Sequence, residues 1–128
     1  MTDNKVIQFL KEAKIKLRSK EHKGYKFSSK GTMANMDLNI EHWLDGDDLV
    51  VSMCHYGEMN GDLMRDPDVV FKIDKQKNII PLSYRNDYMA TMYQCTHEKE
   101  QKSLMIFLHQ WIKNIKEQGF LKNGYTEV

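Results

Sequence analysis

The chain has 128 residues, 41% hydrophobic and 29% charged, with a net charge of +1. That length builds one hydrophobic core and not two. No window nears the roughly 18 apolar residues of a membrane helix, and the opening MTDNKVIQF lacks the basic-then-apolar order of a secretory leader. A cytoplasmic globular protein is therefore expected, its two cysteines, Cys54 and Cys95, being reduced thiols and not a disulfide framework. The nine methionines are many for this length, and they are read as irregular core filling and not as a binding surface. The charges are segregated. Residues 1–30 hold nine Lys or Arg against three acids, residues 31–68 nine acids against Arg65 alone, and the remainder nine basic residues against six acidic ones. Either block is a candidate contact for an oppositely charged partner.

Val6, Leu10, Ala13 and Leu17 fall on one stripe of a 3.6-residue period and predict a first helix. Thr2, Asp3 and Asn4 are candidate caps, Gly24 lies beyond its end, and its other face is mostly lysine. YKF at 25–27 is a candidate short strand. MDLNIEHW then alternates with period two, as a half-buried strand does. Asp45-Gly46 signals a tight hairpin into DLVVSMCHY, which is apolar on both faces, as a central strand is. A long polar connection, Gly57 to Pro67, follows; in it Asp62 is expected to cap a single helical turn over Leu63–Arg65.

Val69, Phe71 and Ile73 mark the next strand. DKQKN turns the chain into IIPLSY, where Pro81 implies an edge or a bulge, and RND turns it into YMATMYQC. Leu104, Phe107, Leu108, Trp111, Ile112 and Ile115 form the broad stripe of a last helix, with Thr96 at its start and Gly119-Phe120 at its end. The expected fold is α+β: an N-terminal helix, an antiparallel meander of five or six strands, then a C-terminal helix, both helices covering one sheet face. Residues 1–121 make the single domain and 122–128 a loose tail.

Few patterns carry chemistry. Glu58, Asp62, Asp66 and Asp68 are hard oxygen ligands, but their spacing is not that of a calcium loop. Pro67-Asp68 with Lys72 suggests a metal nuclease, yet the position that needs a second acid is Val70. Cys54, Cys95 and His97 lack the paired spacing of a zinc site, and no nucleophile elbow or phosphate loop is present. His55 beside Tyr56 and near Glu58 is a weak general-base arrangement. No cofactor or metal is expected. The basic stretch is a better candidate: Lys11, Lys14, Arg18, Lys20, Lys23 and Lys26 can track a phosphate backbone, with Tyr25 and Phe27 for stacking.

CHYGEMNGDLMRDPDVVF and the later IIPLSYRNDYMATMY resemble a small domain family of unknown function, DUF6908, over about residues 38–95. The specific part is Tyr56, Asn60-Gly61-Asp62, Arg65-Asp66-Pro67 and Asp87-Tyr88. The resemblance implies a protein of phages, plasmids or conjugative elements, sometimes built into large polyvalent proteins, acting in a bacterial cytoplasm; it carries no established activity. Both flanking helices lie outside the stretch that carries it, so the basic first helix is expected to be particular to this protein.

The reading that follows is a non-enzymatic accessory protein that binds a protein partner, with anti-defence as one version. Its surface would comprise Tyr56, Glu58, Asn60, Asp62, Arg65, Asp66 and Asp68 of the connection with Tyr84 and Tyr88 beside it. Arg65 would grip a carboxylate or phosphate while Asp62 holds the loop. The alternative is nucleic-acid binding through the basic helix, and a metal-assisted enzyme is third.

Overall fold

Leu38 and Ile40, Leu49, Val51 and Met53, and Val69, Phe71 and Ile73 each repeat every second residue, so each set lies on one face of its strand. In the computed structural model, which describes residues 4–19 and 21–128, these sets converge in one core. The elements run α1 (Asn4–Glu12), β1 (Lys23–Phe27), β2 (Asp37–Asp45), β3 (Asp48–Met59), β4 (Asp62–Ile73), β5 (Ile79–Asn86), β6 (Thr91–Gln94), α2 (Glu98–Gln118) and β7 (Thr126–Glu127). All strands pair antiparallel in one open sheet, in the order β6-β5-β4-β3-β2-β1-β7. Val6, Phe9 and Leu10 of α1 and Leu104, Leu108 and Ile115 of α2 join the same buried cluster. Both helices thus pack on the sheet face that carries those sets, and the opposite face stays open. Each fully buried Leu or Phe contributes about 1.5–3 kcal/mol.

The sheet has seven strands against the five or six expected. The addition is β7, made by residues assigned above to a loose tail. The Tyr125 ring packs on Tyr25 at 4.8 Å and Phe27 at 5.5 Å, and its hydroxyl donates to the Lys14 carbonyl at 2.8 Å. Thr126 and Glu127 then pair with Lys26 and Tyr25, and the Val128 amide donates to the Gly24 carbonyl. Gly24 is thus a strand residue and no helix stop: a Cβ there would meet the Val128 Cγ2 at 2.8 Å.

The first helix ends earlier than its stripe predicts. Lys14 takes φ 61, the Lys14 amide donates to the Lys11 carbonyl, and the Ile15 amide donates to that of Leu10. This reverse turn buries Ile15 beside Leu10, leaving Leu17 outside the helix. The caps read at Thr2 and Asp3 lie outside the described residues. At α2 the pattern holds: Gly119 is left-handed at the end, and Phe120 is buried. Thr96 lies one residue before the His97 cap and donates, through its amide and hydroxyl, to the Glu100 carboxylate. Pro81 sits where β5 has outrun β6, beside a register shift between Val70 and Phe71, so its missing N–H removes no ladder bond to β6.

The methionines overturn their reading as core filler. Met53 is fully buried, but Met33, Met89 and Met92 are largely exposed and Met59 about half so.

Two histidines are buried. His42 accepts or donates at 2.7 Å to the Tyr25 hydroxyl through Nε2, and its Nδ1 has no partner among the described residues. His55 lies between Trp111 and Phe120, its Nδ1 3.1 Å from the Asp37 carbonyl. Burial pushes both imidazoles below their usual range, so the fold holds them neutral. An unfolded chain takes up these protons near pH 6.5 and the folded one does not. Stability contributed by the neutral rings is therefore complete above about pH 6.5 and lost as the pH falls below it. Urea midpoints measured at neutral and mildly acidic pH should show this loss, and His42→Gln should make the dependence shallower.

Candidate functional site

The expected loop from Gly57 to Pro67 is not a loop. β3 runs through Met59 and β4 starts at Asp62, so Asn60-Gly61 is the whole connection. Both residues have positive φ, 54° and 85°, as a type I′ hairpin turn requires. The helical turn at Leu63–Arg65 does not form, because those residues pair with Glu58, Gly57 and Tyr56. Pro67 is admitted because Asp66 and Pro67 together oppose His55 alone, a bulge where a ladder N–H is not needed.

The neighbouring strands do not follow this hairpin to its tip. β2 begins at Asp37, opposite Tyr56, and the last backbone bond from the β5 side is the Asp87 amide donating to the Arg65 carbonyl at 2.8 Å. Residues 57–64 therefore project as a two-stranded arm. Met59 is 47% exposed on it and Leu63 69%. A lone hairpin is marginal in water, and this one leaves two large apolar side chains uncovered beside its tip.

The base of the arm is clasped by the turn after β5. The Asp87 carboxylate accepts the Arg65 amide at 2.8 Å and the Arg85 Nε–H at 2.7 Å, and these donors hold it below the usual carboxylate range. The Asn86 amide donates to Asp66 at 2.7 Å and its oxygen accepts the Met89 amide. The Tyr88 hydroxyl donates to the Glu58 carbonyl at 3.3 Å, lying where a Cβ on residue 57 would be. Gly57 is needed for that close approach. Asp66, Asp87 and Tyr88 therefore act first as scaffold. Local pattern does not announce the clasp, because Arg65 lies 22 residues upstream of Asp87.

On the sheet face away from the helices, Cys54, Asp68 and Arg85 are side by side on β3, β4 and β5, with Tyr56 beside Arg65. The Ser52 hydroxyl donates to Asp68 at 2.8 Å. Burial pushes the Asp68 carboxyl up, although Ser52, Arg65 and Arg85 all favour its charged form. Burial likewise pushes the Cys54 thiol up to about 12, which makes it an inert thiol. Tyr84 does not join this face: its ring stacks on Tyr93 and meets Phe107 of α2 edge-on, on the helix side. His55 also faces the helices and cannot serve Glu58 as a base. Glu58 and Asp62 sit on the arm, Asp66 is held by Asn86, and Asp68 lies on the open face. Among the described residues, no three His, Cys, Asp or Glu side chains converge as a metal site would need.

The basic candidates are split. Lys11, Lys14 and Arg18 are exposed, whereas Lys23 pairs with Glu21 and Glu127 and Lys26 with Asp37 at 3.4 Å. Lys20 lies outside the described residues. Tyr25 and Phe27 are fully buried, so neither can stack on a base, correcting that expectation.

Sheet, helices and arm define an α+β protein built on an open antiparallel sheet. The chain belongs to the family described as a domain of unknown function (DUF6908), whose model matches residues 4–121. That match includes both helices, so the basic first helix is not an addition peculiar to this chain. No curated protein and no solved structure matches it.

The surroundings of Asp68 yield a stability test. At neutral pH its charged form is penalised, so Asp68→Asn, which keeps an oxygen to accept from Ser52, should raise the melting temperature. A lower melting temperature would show that the two arginines outweigh the burial.

Proposed function

We propose that this protein is an accessory factor of a phage, plasmid or conjugative element that works in the bacterial cytoplasm by binding a protein partner. The observation that carries the reading is the arm, residues 57–64, which projects past β2 and β5 with Met59 and Leu63 exposed. Asn60-Gly61 sets its tip, Glu58 and Asp62 line it, and Tyr88 and the Asp87 clasp hold its base at a fixed angle to the sheet. Rigid presentation of a few apolar anchors limits the entropy lost on docking. Tyr56 and Arg65, paired across the strands, extend the same surface onto the open face, where Arg65 would meet a partner's carboxylate in addition to Asp68. The resemblance to mobile-element proteins supports the setting, and blocking a host immune factor is the version that best suits a small protein with a protruding arm.

The nucleic-acid reading keeps one supporting observation, the exposure of Lys11, Lys14 and Arg18 away from the pairs that occupy Lys23 and Lys26. Affinity purification from host cells, comparing the natural chain with Met59→Ser/Leu63→Ser, separates the two. The arm reading expects a partner lost by the variant at an unchanged melting temperature. Salt-sensitive DNA binding in fluorescence anisotropy, abolished by Lys11→Glu/Lys14→Glu/Arg18→Glu and indifferent to the arm, would replace it.

A further inference from the structure

The arm's side chains are arranged in a pattern that selects among partners. Cross-strand partners on a hairpin share a face. Glu58 is paired with Leu63 and Met59 with Asp62, so each face of the arm presents one carboxylate beside one apolar side chain. All four are exposed. The nearby cations are engaged elsewhere: Lys26 with Asp37, Arg85 with Asp87, and Arg65 in the field of Asp68. Among the described residues neither Glu58 nor Asp62 has an ion pair. The arm is therefore acidic and apolar on both faces.

Resting on the reading of the arm as a docking element, we propose that its partner is a protein groove or segment that sets Lys or Arg beside apolar side chains. The apolar groups would cover Met59 and Leu63 while the cations reach Glu58 and Asp62. Charge decides against the other occupants. A second copy docked arm to arm would bring four carboxylates together with no arm cation between them. Nucleic acid and anionic membrane would be repelled by the same two acids.

A random peptide library displayed against the immobilised full chain tests this, with the enriched peptides then titrated in solution. The expected result is enrichment of Lys or Arg next to Leu, Ile, Met or Phe. Affinity should fall about tenfold or more for Glu58→Gln/Asp62→Asn and for Met59→Ser/Leu63→Ser, and should weaken with added salt. Peptides that lose affinity for Met59→Ser/Leu63→Ser but ignore Glu58→Gln/Asp62→Asn would overturn the cationic chemistry and leave the arm as the docking element. Peptides indifferent to both variants would overturn the arm reading itself. A dimer in light scattering that disappears in Met59→Ser/Leu63→Ser would assign the arm to a second copy and overturn the proposal.

Discussion

The architecture turns on one extra residue in β4. From the Asn60-Gly61 turn, Met59 pairs with Asp62 and Tyr56 with Arg65; beyond the bulge, Cys54 pairs with Asp68 and Met53 with Val69. Without the bulge, Met53 would face Asp68, and Val51 would face Val70. Because side chains alternate, that register would turn Asp68 and Lys72 into the core and Val69 and Phe71 out of it. The residue inserted at Asp66-Pro67 reverses the alternation. It lets Leu63 of the arm and Arg65 at its base share the open face with Asp68, while Val69, Phe71 and Ile73 build the core under the helices.

The clasp on that bulge explains why the arm has a definite direction. Asp66 is held by Asn86, and the two flanking backbone groups of Arg65 are both taken by Asp87. Hydrogen bonds of this kind contribute only about 1 kcal/mol each, but together they fix the angle at which two otherwise unsupported strands leave the sheet. The same region shows how environment sets the chemistry of one residue type. Asp87 receives an amide and a guanidinium and its acid form is disfavoured; Asp68, one strand away, has a hydroxyl donor and arginines nearby, yet burial dominates and its acid form is favoured. Asp87 is thus explained by structure alone. Asp68 sits where burial works against its charge.

The surface divides in a related way. Lysines on β1 are drawn into ion pairs with acids of β2 and β7, so much of the basic block at the start of the chain is neutralised at home. The acidic block is likewise drawn in at Asp37, Asp47 and Asp48, which pair with Lys26, Lys75 and Lys72, but Glu58 and Asp62 leave the sheet on the arm. The charge asymmetry that composition alone reveals is therefore carried outward mainly by the arm and by the exposed Lys11, Lys14 and Arg18.

The sequence by itself determined the α+β class, the strands with strict alternation, the last helix with its Gly119-Phe120 ending, and the turn-forming power of Asn60-Gly61, because these depend on periodicity and on backbone preferences of neighbouring residues. Residues 57–67 look like a long loop in the sequence because a gap between apolar runs resembles a connection, whereas an exposed hairpin needs no apolar alternation to hold its ladder. Only the tertiary structure decided that Tyr25 is buried, that residues 125–127 close the sheet edge, and that Asp87 governs Arg65. Each of these rests on contacts between residues 20 to 100 positions apart, which alternation and propensity do not encode.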